Sequence, residues 1–119
     1  MRKRKLFIRF LRAELEDTIE GIEQLSFVLE SRLQKGEITN YVYNENKAFL
    51  NREIAGLRKL LPLLEGVDIE AGKDINTLAL ETGNMLQLKA NAADDPQVVT
   101  EIINRKIKKV LNYITEQPE

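Results

Sequence analysis

Apolar residues recur every three or four positions through four stretches of the chain, and turn or capping residues separate them. In the first stretch Phe7, Leu11, Leu15, Thr18, Ile22, Leu25, Leu29 and Leu33 form one stripe with a single polar member, which predicts a helix from about Lys3 to Gln34. Gly21 sits inside it. Lys35-Gly36 follows, a cation in the last turn and a glycine suited to a left-handed cap. The second helix is predicted to start with Thr39 as N-cap, with Ile38 and Tyr43 placed for a hydrophobic staple. Tyr43, Lys47, Leu50, Ile54, Leu57, Leu61 and Leu64 then step by four and three in a heptad seam, which Phe49 and Leu60 widen. Pro62 interrupts it, so the helix either kinks there or ends near Leu60. The seam continuing to Leu64, and Gly66 as a terminator, favour the kink.

The third stretch is less regular. Ile75, Leu78, Ala79, Thr82, Met85 and Leu86 share a face, Leu80 and Leu88 point elsewhere, and either Asp68 or Asp74 serves as N-cap. Asn91 to Asp95 reads as a turn. Asp95 is expected to cap the fourth helix with Pro96 in its first position, and Val99, Ile103, Ile107, Val110 and Ile114 form its buried line up to a frayed end at Pro118. Short links between helices favour antiparallel neighbours. The predicted fold is therefore all-α: one domain spanning 1–119, an up-down-up-down antiparallel four-helix bundle with a long first helix whose ends overhang the others.

Composition narrows the chemistry. The 119 residues contain no Cys and no His, which excludes thiolate or imidazole zinc sites, serine–histidine and cysteine–histidine catalysis, and disulfides. Missing cysteines fit a cytoplasmic protein. No apolar run is long enough to span a bilayer. The basic start, Met1 to Arg12, is broken by Arg9 and Arg12, so it reads as part of the first helix and not as a secretory or transit signal.

Formal net charge is −1, yet the predicted topology gathers most of the 18 basic residues at one end of the bundle. There Arg2, Lys3, Arg4, Lys5, Arg9, Arg12, Lys106, Lys108 and Lys109 are candidates for binding an anion such as a nucleic acid or an anionic membrane surface. Cations near helix C-termini also complement the helix dipole. The same end carries Leu6, Phe7, Ile8, Phe10 and Leu11 around most of the helix circumference. Phe7, Ile8, Phe10 and Leu11 are thus the candidate partner surface, for a second subunit or another helical protein.

An enzyme built from this composition would need carboxylates holding a metal. Glu20 and Glu23 have a suitable spacing, but Glu65 and Asp68 make a poor second half, and Glu16, Asp17, Glu20 and Glu23 read more simply as a solvent face. No catalytic, cofactor-binding or metal residue is assigned. The sequence points first to a non-enzymatic helical-bundle interaction module, adaptor-, chaperone- or accessory-like, acting through helix-face association, self-association included. Polyanion binding at the basic end is the alternative, and a carboxylate metal-dependent hydrolase the remote one.

Overall fold

In a computed structural model that describes residues 2–69 and 74–116, the chain forms four helices: α1 (Arg2–Gln34), α2 (Asn40–Leu64), α3 (Ile75–Ala92) and α4 (Gln97–Thr115). Pro118, the expected frayed end, lies outside the described residues. Each helix packs on the next, and α4 returns to α1. Ion pairs fix the directions. Glu65 meets Arg12, Arg58 meets Glu23 and Lys47 meets Glu30, so α2 descends as α1 rises. Lys106 and Lys109 meet Glu14 while Tyr113 meets Phe10, so α4 is also antiparallel to α1. This is the up-down-up-down bundle expected from the sequence.

The apolar stripes hold it together. Phe7, Leu11, Leu15, Leu57, Leu60, Leu64, Leu78, Leu86, Val99 and Ile103 are all essentially inaccessible to solvent. Burying one such side chain contributes roughly 1.5–3 kcal/mol. A cap contributes about 1 kcal/mol, so the stripes set the stability and the caps set the boundaries. On α1 the buried line runs Phe7, Leu11, Leu15, Ile19, Ile22, Ser26, with Ile19 and Ser26 in place of the expected Thr18 and Leu25. A straight helix turns every 3.6 residues, and a strict seven-residue stripe drifts off it.

The helix ends satisfy their backbone groups in different ways. Gly36 takes φ 72°, letting Gly36 N–H donate to Leu33 O and Glu37 N–H donate to Arg32 O. The Thr39 hydroxyl oxygen accepts from Val42 N–H at 3.1 Å, as expected of the N-cap. α2 runs through Pro62 to Leu64. Its last carbonyls are met by tighter i−3 bonds from Glu65, Gly66 and Val67, and Gly66 does not adopt the left-handed conformation expected of a terminator. Asp74, not Asp68, caps α3, accepting from Thr77 N–H at 2.7 Å; these backbone donors hold its carboxyl below the usual carboxylate range.

The expected cap of α4 is replaced. Pro96 occupies the N-cap position and no side chain caps the helix. The Asp95 carboxylate instead turns to α2, where it accepts from Lys59 Nζ at 2.8 Å. Gly56 makes this approach possible: a Cβ there would stand 3.0 Å from Val99 Cγ2 and 3.2 Å from Asp95 Cγ. The α3–α4 turn is thereby seated on α2 at the level of Gly56 and Lys59, which is also the level of the Arg58–Glu23 pair.

Candidate functional site

α1 has 33 residues and α2 has 25, whereas α3 has 18 and α4 has 19. The Phe10–Tyr113 contact and the Arg12–Glu65 pair place the ends of α4 and α2 beside the first turns of α1, so the surplus length projects at the other end. Beyond Glu23, α1 continues for about 16 Å at ~1.5 Å per residue, and the molecule measures 56 Å along its longest axis. Among the described helices, α2 alone accompanies it. The result is a two-helix arm formed by the last third of α1, the turn at Gly36 and the first half of α2. Glu30 ties the two helices together, accepting from Lys47 Nζ at 3.2 Å and from the Tyr43 hydroxyl at 3.5 Å.

The arm is apolar on a face that none of the described residues covers. The last buried residue of α1 is Ser26 and the first of α2 is Glu53. Between them Val28 is 53% exposed, Phe49 48% and Val42 39%, and Leu25, one residue before Ser26, is 53% exposed. Helix geometry explains the pattern. Five turns take 18 residues, so Leu25, Val28 and Leu29 repeat the directions of Phe7, Phe10 and Leu11. Likewise Val42 and Asn46 repeat the directions of Leu60 and Leu64. In the body those directions meet α3 and α4. In the arm the same surface faces solvent, because the covering hairpin has already turned at Ala93–Pro96. Phe49 was expected to widen a buried stripe and is exposed for this reason. Phe27, at 68% exposure, lies on the other edge of the arm beside Lys47, Asn51 and Ala55.

The partner surface expected at the start of α1 needs correction. Phe7 and Leu11 are fully buried in the core and present no docking face. Ile8 and Phe10 are half-buried against that core, and the Phe10 ring meets Tyr113 of α4 edge-on, with centroids 5.7 Å apart. The density of apolar residues there reflects a helix contacted on two sides, by α2 and α4. The aromatic residue that covers Phe10 stands more than a hundred positions away in sequence.

The nine candidate anion ligands do not form one patch. Arg12 donates to Glu16 at 2.9 Å and to Glu65 at 2.5 Å, on the flank of α1 that faces α2. Lys106 and Lys109 converge on Glu14, at 3.2 and 2.9 Å, on the flank that faces α4. The Lys109 and Lys106 ammonium groups hold the Glu14 carboxyl below its usual range. Arg2, Lys5, Arg9 and Lys108 are exposed, and Lys3 and Arg4 are half-buried at the same end.

The acids follow the same logic. Glu23 accepts from Arg58 at 2.9 Å, while Glu16 and Glu65 share Arg12 some three turns away along α1. Glu20–Glu23 and Glu65–Asp68 therefore lie at different heights and do not face each other. Among the described residues no three metal-ligating side chains converge. Glu53 is unlike the rest: it is buried at the root of the arm, and desolvation raises its carboxyl above the ordinary value. No helix among the described residues is long and apolar enough to cross a membrane. Comparison with protein-family models, with curated proteins and with solved structures finds no match.

Proposed function

We propose that this chain is a non-enzymatic docking module that offers the α1–α2 arm to a helical protein partner. The observation that carries the reading is the uncovered repeat of the core surface: exposed Leu25, Val28, Val42 and Phe49, with half-buried Leu29 among them, point where the body's side chains meet α3 and α4. A contiguous apolar face of this kind costs solubility, and in monomeric proteins such faces mark interaction sites. Its preferred cover is helical, because the body already seats a helical hairpin on the same surface and helix ridges pack into helix grooves. Phe49 is the anchor, since aromatic residues near the centre of an interface contribute most of its energy. Singly exposed apolar residues such as Leu80 and Leu88 on α3 need no such explanation.

The test is a photo-crosslinking phenylalanine analogue placed at Phe49, and separately at Leu88, in cells that express the chain. A discrete protein adduct from position 49 and none from position 88 supports the arm as the docking face. No adduct from 49, or the same adducts from both positions, removes it.

A further inference from the structure

Resting on that reading, we infer that the arm's partner is the arm of a second copy of this chain, paired antiparallel about a two-fold axis. Over the body, the α1–α2 face is completed by a helical hairpin whose apolar side faces inward. The arm is itself a helical hairpin with one apolar side, so it has the shape of the part it lacks. Two arms laid face to face restore a four-helix cross-section, with α1 and α2 of one copy standing where α3 and α4 stand lower down.

Length and direction favour the antiparallel arrangement. Each arm begins at the level of the α3–α4 turn and ends at Gly36. If the second copy enters from the opposite direction, its tip reaches the first copy's α3–α4 turn as the arms come into full overlap. Both arms are then covered along their whole length with no surplus. A parallel pairing would instead set the two α3–α4 hairpins against each other at the same height, which would hold the arms apart. The antiparallel pairing is also closed: the same patch is used on both copies, so association stops at two.

Charge agrees with that direction. The tip carries Lys35, and the α3–α4 turn carries Asp94; both are exposed and neither has an ion-pair partner among the described residues. Antiparallel arms bring the Lys35 of each copy to the Asp94 of the other, twice per dimer. Near the axis lie Leu29 and Asn46, and the Asn46 amide is already donating to Val42 O at 2.8 Å, so its burial does not leave that donor unmet. Phe49 of each copy then falls over the stretch of the other that holds Val42.

The absence of native cysteine makes the geometry directly testable. The full chain should sediment at twice its mass at ~100 µM, and Phe49→Lys should weaken the association at least about tenfold. Phe49 is exposed, so the variant should still fold, and an unchanged circular-dichroism melt at low concentration verifies this. In Lys35→Cys/Asp94→Cys, oxidation should yield an inter-chain disulfide dimer. Lys35→Cys/Asn112→Cys, which places the second thiol at the far end of α4, should not. A chain that stays monomeric at ~100 µM, a dimer indifferent to Phe49→Lys, or equal crosslinking in both cysteine pairs would overturn the inference. The two readings fail separately: a monomeric chain whose position-49 adduct contains a different protein ends self-pairing and leaves the docking role standing, whereas no adduct and no dimer ends both.

Discussion

Two glycines inside helices do opposite work. Gly21 lies mid-α1 with open space around it: nothing stands within 4 Å of where its Cβ would be. Replacing it with alanine removes backbone freedom from the unfolded chain and should stabilise the protein by about 1 kcal/mol. Gly56 faces Val99, which is fully buried, and Asp95, which Lys59 holds in place. Neither neighbour has room to give way, so Gly56→Ala should lose more to crowding than it gains in helix propensity, a net cost of about 1–2 kcal/mol. Urea melts of the two variants, read side by side, check both signs. Glu53 gives a residue-level prediction with a pH signature. Burial raises its folded carboxyl above the unfolded value, so the native state holds the proton more tightly. The penalty is fully present above the raised folded value and disappears as pH falls to the ordinary carboxylate range. Glu53→Gln should therefore raise the melting temperature at pH 7, with the gain shrinking toward pH ~4. A gain independent of pH would point to packing and not to charge.

At the scale of elements, the stripes were legible and their cover was not. Val99, Ile103, Ile107, Val110 and Ile114 are all buried as the spacing predicts, Leu80 and Leu88 both face out, and Thr39 caps α2. Periodicity reports which side of a helix is apolar, because that is a local property of turn geometry. It does not report how many other helices reach that side at a given height. That depends on relative lengths and on where the α3–α4 turn is seated, which Gly56 and Asp95 decide. The overhang of α1 was readable from its length, but the apolar run Leu6–Leu11 packs into or against the core, and the large exposed apolar residues of α1 are Leu25, Phe27 and Val28 near its other end. The Asp95 cap failed for a related reason: a residue suited to capping its own helix found a partner on another one. The arm should also be the less stable element. Backbone amides of residues 42–50 lie in the two-helix arm, whereas those of residues 54–61 lie in the four-helix body. In hydrogen exchange on dilute protein the former should exchange by local opening, faster than the latter by at least about tenfold. Equal protection along α2 would mean that the arm is already covered.

For the molecule as a whole, the formal charge of −1 conceals a consistent arrangement. α2 and α4 lie on opposite flanks of α1, and each flank brings acids and bases together: Arg12 with Glu65 on one, Glu14 with Lys106 and Lys109 on the other. Cations that the topology gathers at one end are thus divided between two sides and partly neutralised, which leaves the polyanion reading with the outward stripe of Arg2, Lys5 and Arg9 as its main support. The apolar feature lies at the opposite end, and one element joins the two. α1 contains no proline and is helical without interruption from Arg2 to Gln34. It is a strut: rooted in the body through Phe7, Leu11 and Leu15, it carries Leu25 and Val28 at a fixed height and azimuth. A partner seated on those residues, as proposed, would have its orientation dictated by the far end of the same rod, and the rod would then act as a spacer as well as a grip.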